Sequence, residues 1–295
     1  MGKMLFIGAA VSAILAGATA YGAAAPRIAF QAYAVRDLCE KDFTGVLKAA
    51  KAMGYEGVET GRFFGLDAKG LKKACADARL ELVALQLFPH CLAGAQLAET
   101  IRFCGECGAK RISVAWFKGS ETVVNDWQLL INVLNHAAEE CARHGIAVAY
   151  HNHAHEFEMK LGGRPVMAWL YDGAGEGLLR QTGSTPRFSP RVKQEFDPGW
   201  CVLAGGDPMA WLAAHPNRNP TVHVMPAIDP AAGLPPPGKC GVGAPRDMAD
   251  WKTILPALAR DGTEWLVVKP VSHVDSLADL AASITYIRSI MGDGN

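Results

Sequence analysis

Tyr150-His151-Asn152-His153-Ala154-His155-Glu156-Phe157 follows directly on the apolar run 146–149 and carries three imidazoles and a carboxylate. A β-rich run that ends in such groups reads as a parallel strand whose C-terminal end faces a functional site. Two later runs repeat the pattern. Residues 191–197 end in Asp197, within Phe196-Asp197-Pro198-Gly199-Trp200, and 220–224 carry His223 in Val222-His223-Val224. The next apolar run, 265–268, ends in Lys269, where a further carboxylate would complete a cation site.

Working outward, eight β-rich runs are expected at 27–33, 55–59, 80–88, 110–116, 146–153, 191–197, 220–224 and 263–269. Helical periodicity falls between them, at 43–53, 66–78, 95–107, 127–144, 208–214, 251–260 and 276–291. Strict alternation implies parallel strands, and eight units close into a (β/α)8 barrel. Gly54, Gly108, Gly145 and Gly262 each follow a helical run, where a left-handed cap is expected. Two connections break the rhythm, 172–190 and 226–247. The second follows a strand with a candidate ligand, which makes it a candidate lid or substrate loop.

The chain has 295 residues with Lys and Arg equal to Asp and Glu at 29 each, so no net field attracts nucleic acid or an anionic membrane. A small neutral or weakly charged ligand fits better. Residues 1–25 combine Lys3, an apolar stretch from Leu5 to Leu15 and the small-residue sequence Ala18-Thr19-Ala20. These are the marks of a secretory signal peptide cleaved after Ala20, leaving 26–295 as one barrel domain in a bacterial periplasm. Eight cysteines are scattered without a framework spacing. Cys104 and Cys107 lie inside a helical pattern with no second pair at zinc spacing, so the cysteines read as small buried hydrophobes.

Glu156, Asp197 and His223 lie at or just past three different strand ends, a placement that lets oxygen and nitrogen ligands converge on one cation. Each alone has a plainer role: a strand-end His hydrogen-bonds, and Asp-Pro-Gly is a turn. The alternation of His151, His153 and His155 also admits a zinc cluster completed by water.

Several segments together resemble the sugar phosphate isomerase/epimerase family, the xylose isomerase-like TIM barrels. Gln31-Ala32-Tyr33-Ala34-Val35-Arg36-Asp37 is similar to the family's opening strand and turn, and Met53-Gly54-Tyr55-Glu56-Gly57-Val58-Glu59 to its second unit. Tyr150-His151-Asn152-His153 with Glu156-Phe157 is the most specific element, joined by Phe196-Asp197-Pro198-Gly199-Trp200 and by Gly241-Val242-Gly243 leading to Asp250-Trp251. The resemblance implies metal-ligand positions at Glu156, Asp197 and His223, with His151 the alternative to Glu156 by register. It implies a substrate wall from Glu59, His90, Trp116, His151, His153 and Trp200.

The family's usual last-strand Glu is Lys269 here, and its usual Lys-Asp after the strand-seven His is Met225-Pro226. At an effective dielectric of about 20 and about 5 Å, each unit-charge pair is worth roughly 3 kcal/mol. A charged Lys269 therefore weakens or abolishes binding of a divalent metal such as Mn or Zn. The expected activity is isomerisation or epimerisation of a sugar or keto-sugar by proton transfer next to a carbonyl, with Glu156, His223 and Lys269 as catalytic groups. The alternative is a catalytically lapsed carbohydrate-binding barrel.

Overall fold

Eight parallel strands close into a barrel, each joined to its sequence neighbour, with the first pairing the last. They are β1 Arg27–Gln31, β2 Gly57–Thr60, β3 Glu81–Leu87, β4 Arg111–Val114, β5 Ala147–His151, β6 Val192–Phe196, β7 Thr221–Val224 and β8 Trp265–Val268. The computed structural model describes residues 25–119, 124–173, 186–271 and 277–292. The expected cleavage site after Ala20, and all of the expected signal segment 1–25 but Ala25, lie outside them.

Helices α1 Arg36–Met53, α2 Ala68–Asp77, α3 Ala95–Cys107, α4 Val124–Ala142, α5 Val166–Asp172, α6 Pro198–Leu203, α7 Pro208–Ala214, α8 Trp251–Arg260 and α9 Leu277–Met291 surround the barrel. All eight expected strands form, each a few residues shorter than its apolar run. The α1 segment begins seven residues before the periodic stretch because its backbone departs from helix at Asp42, whose side chain caps the second half through Gly45 N at 2.8 Å. The short α5 and α6 were not expected. Valine, tryptophan and tyrosine in the first are weak helix formers, and the second is held by its Asp197 cap. Gly54, Gly108, Gly145 and Gly262 all adopt positive φ.

Period-two alternation sorts the strand residues into two cores. Phe30, Val58, Leu85, Val114, Tyr150, Phe196, Val222 and Val268 point toward the helices in the larger one. Inside the barrel the apolar filling is small: Ala29, Val83, Ala84, Trp265 and Val267. Trp265 plugs the N-terminal end, with the Arg27 guanidinium 4.0 Å from its ring. Glu264 also sits at that end, paired with Arg111, far from the strand ends that carry the ligands.

Loop 226–247 is stapled to α9 rather than hanging free. Asp279 accepts from Cys240 N at 2.7 Å and the Ser283 hydroxyl from Val242 N at 2.9 Å. All eight cysteines are free thiols, and only Cys91 is not buried. No helix among the described residues is long and apolar enough to cross a membrane.

Gly57 shows how tightly the barrel interior is filled, since a Cβ there would lie 2.5 Å from Val83 Cγ2 and 2.8 Å from the Trp265 ring. Gly57→Ala is expected to cost about 1–3 kcal/mol by overpacking. Urea unfolding reads this, and an unchanged midpoint would contradict it.

Candidate active site

The inward positions turn polar at the C-terminal end of the barrel. Gln31 of β1 pairs in register with Glu59 of β2, His151 of β5 with Glu195 of β6, and His223 of β7 with Val267 of β8. Glu59, Glu195, Asp197 and His223 are fully buried and His151 nearly so. Isolated charges at such depth would be costly, so they are found in a network.

His223 is its centre. Nε2 lies 2.8 Å from Glu59 Oε1 and 3.2 Å from Glu195 Oε2, while Nδ1 looks the other way, 3.9 Å from Asp197 Oδ2. Gln31 Nε2 donates to Glu59 Oε1 at 3.2 Å and to Gln86 Oε1 at 2.6 Å, and the Ser113 hydroxyl donates to Glu195 Oε2 at 2.5 Å. Burial alone would discharge His223, but the two carboxylates outweigh it and raise its pKa to about 10, so a cation bound at Nδ1 would have to displace a proton. Burial and the Glu195 charge push Glu59 up. Burial also opposes ionisation of Glu195, yet His223 and the hydrogen bonds to Glu195 outweigh it and hold its pKa low.

Asp197 leaves β6 as the cap of α6, accepting from Trp200 N at 3.0 Å through Oδ1, while its backbone N–H donates to Asn152 Oδ1 at 2.9 Å. Gly199 permits this tight turn: a Cβ there would lie 2.1 Å from Met225 O. Burial raises the Asp197 pKa to about 6 against the pull of Lys269 and His223.

Among the buried atoms here without a hydrogen-bond partner are His151 Nε2, Asp197 Oδ2 and His223 Nδ1. Their side chains form a group whose ligand atoms lie within 4.8 Å of one another. The opposite faces of the two imidazoles are oriented, His223 Nε2 by Glu59 and His151 Nδ1 by the Glu195 carbonyl at 3.4 Å. Two imidazoles and a carboxylate, each imidazole backed by an oxygen, is the donor chemistry of a divalent-cation site.

Glu156 does not join this layer. Oε1 accepts from the Tyr150 hydroxyl at 2.6 Å and Oε2 from His153 N at 2.8 Å, so the carboxylate closes the loop after β5. The cause is parity: Tyr150 faces the outer core, while His151 faces the barrel axis and takes the converging place expected of Glu156. His155 turns to the Phe117 carbonyl at 2.9 Å, and neither it nor His153 enters a converging group.

Above the layer are two adjoining cavities. One of about 380 Å³ is lined by Gln31, Gln86, Trp116, His151 and His153, among others. Another of about 240 Å³ is lined by Trp200, Met225, Ile228 and Leu234, among others. Tyr33 and Lys269 belong to both. Trp116 meets the His153 ring edge-on at 4.5 Å. Burial, with smaller contributions from the Lys269, His155 and His223 charges, lowers the His153 pKa to about 2. His90 is exposed, its ring 6.0 Å from Phe88, and it is Phe88 that lines the larger cavity. Glu59 lies beneath the wall rather than on it.

The profile of the xylose isomerase-like TIM barrel family matches residues 47–290. The chain belongs to that family. No curated protein matches it. Among solved structures, a sugar phosphate isomerase/epimerase from Parabacteroides distasonis shares 20% identity over 94% of this chain and 97% of its own, with a TM-score of 0.68. An L-ribulose 3-epimerase shares 14% identity over 90% of this chain and 94% of its own, TM-score 0.61. A 3-keto-D-glucoside 4-epimerase from E. coli shares 14% over 90% and 99%, TM-score 0.58. At these identities the likeness is one of fold.

Within this xylose isomerase-like barrel, sequence reading missed Gln31, Gln86, Ser113 and Glu195 as members of the buried network. Alternation held a signal for Glu195. With Val192 and Phe196 packed outward, an acid between them must face the barrel interior.

Burial raises the Glu156 pKa from 4.5 to about 8. A folded-state pKa above the unfolded one stabilises below the lower value, and that contribution is lost as pH rises to the upper one. Stability should therefore fall across that window in the parent chain. Glu156→Gln, which mimics the protonated acid, should flatten the fall in urea unfolding. An unchanged slope would contradict the assignment.

Proposed function

We propose that this chain is a sugar isomerase or epimerase that moves a proton next to a carbonyl, at a divalent-cation site held by His151, Asp197 and His223. The observation that carries the reading is the convergence of three buried donor atoms without hydrogen-bond partners. Mn²⁺ or Zn²⁺ suits the set, and a bound cation supplies polarisation of a carbonyl or hydroxyl oxygen.

The chain's own groups do the rest. Glu59 and Glu195 orient His223, and the Asn152 and Trp200 contacts orient Asp197. Lys269 lies beside this layer, and burial lowers its pKa against the pull of Asp197, Glu59 and Glu195. With no cation bound, a protonated Lys269 would take the electrophile's place toward a substrate oxygen. His153 is neutral, its Nδ1 is buried without a partner, and it lines the larger cavity. That suits it to accept a hydrogen bond from a substrate hydroxyl. Trp116 and Trp200 offer ring faces to a sugar. Glu156 is a positioning residue for the His153 loop.

The names of two similar structures, an L-ribulose 3-epimerase and a 3-keto-D-glucoside 4-epimerase, support a small sugar or keto-sugar as substrate. The balanced charge and signal-like residues 1–25 support an exported, periplasmic protein with no nucleic-acid partner. Met225, Pro226 and Lys269, which replace the family's usual residues, favour a second reading as a sugar binder without turnover.

The test is exchange of substrate C–H for deuterium in D₂O, followed by NMR over a panel of keto-sugars. The parent chain should exchange one position next to the carbonyl. Asp197→Ala should slow it by about 100-fold or more. Saturable binding with neither exchange nor conversion would establish the binder instead.

A further inference from the structure

Lys269 is placed unlike a lysine recruited for an ion pair. It follows β8 directly, its backbone N–H tied to the Val224 carbonyl at 3.1 Å, so its Cα is fixed on the barrel rim. Among the described residues no carboxylate lies within ion-pair distance of Nζ. Its recorded neighbour is the Trp200 ring, 5.6 Å away. The side chain forms part of the wall of both cavities, of about 380 and 240 Å³. A ketone carbon has two carbon substituents, and an amine on a wall common to two cavities can receive it with one substituent in each.

We propose that Lys269 is a covalent catalyst that forms an imine with the carbonyl carbon of a keto-sugar, an inference that rests on the reading of this pocket as a keto-sugar site. Burial favours the neutral amine that the step needs, since it lowers the pKa of Lys269. The Nζ lone pair adds to the carbonyl carbon as the π pair moves to oxygen. The nitrogen then loses protons, the oxygen gains them, and it leaves as water, so amine and ketone give imine and one water without any redox partner. Solvent water entering the cavity carries these protons. The protonated imine draws electrons from the neighbouring C–H bond, whose proton passes to solvent water and leaves an enamine. Return of the proton, to either face or to the adjoining carbon, followed by addition of water, frees the product and the amine.

Borohydride trapping tests the step, with dihydroxyacetone and D-ribulose as probes and peptide mass spectrometry as the readout. The same probes are followed for deuterium exchange by NMR. The expected result is one reduced-ketone adduct on Lys269, requiring both ketone and borohydride. Lys269→Arg, which keeps the cation and is checked for folding by circular dichroism, should lose the adduct. Exchange without an adduct on Lys269 would overturn the imine and leave the proton-transfer reading standing. Neither exchange nor adduct would overturn both. Adducts on other lysines with none on Lys269 would also overturn the imine.

Discussion

His223 is held from below by Glu59 and Glu195, and that contact decides what the upper face of the barrel can do. With Nε2 engaged at 2.8 Å by Glu59, Nδ1 is left facing Asp197 and the His151 ring, whose centroid lies 4.1 Å from that of His223. An imidazole free to rotate would satisfy its nitrogens locally and leave no converging donors. The carboxylates below keep it from doing so. Gln31 and Ser113 in turn fix those carboxylates, so at least four strands contribute to one ring orientation.

Charge is arranged in two tiers. In the lower tier Glu59 and Glu195 face one imidazole, and burial with mutual repulsion leaves one carboxylate readily ionised and the other reluctant. In the upper tier Asp197 faces His151, His153 and Lys269. Both these histidines are kept neutral chiefly by burial, so their ring nitrogens are available as ligands or hydrogen-bond acceptors. Lys269 brings an amine to the rim beside these groups, on the wall of both cavities.

Much of the fold was legible because eight β-rich runs alternate with helical periodicity and glycine caps, and those signals are local. Asp197, His223, His151 and Lys269 were legible as strand-end residues. Glu156 stands apart from the converging donors, which sequence position could not foretell, because it cannot say whether a residue just past a strand end still follows the strand's parity. Here the chain turns into a helical turn at His155–Glu158, and Glu156 folds back onto Tyr150. His90 was displaced from the wall by its neighbour Phe88 for a similar reason, since the turn Pro89–Leu92 redirects it outward. Gln31, Gln86, Ser113 and Glu195 were hidden because their roles come from pairing across strands far apart in sequence.

The most direct measurement is calorimetric titration of chelator-stripped protein with Mn²⁺ and Zn²⁺, comparing the parent chain with His151→Ala and Lys269→Glu. The account predicts one ion per parent chain, an affinity about 100-fold or more lower in His151→Ala, and tighter binding in Lys269→Glu, where an anion replaces the neighbouring amine. A parent chain that binds neither ion, or a His151→Ala variant that binds as well as the parent, would contradict it.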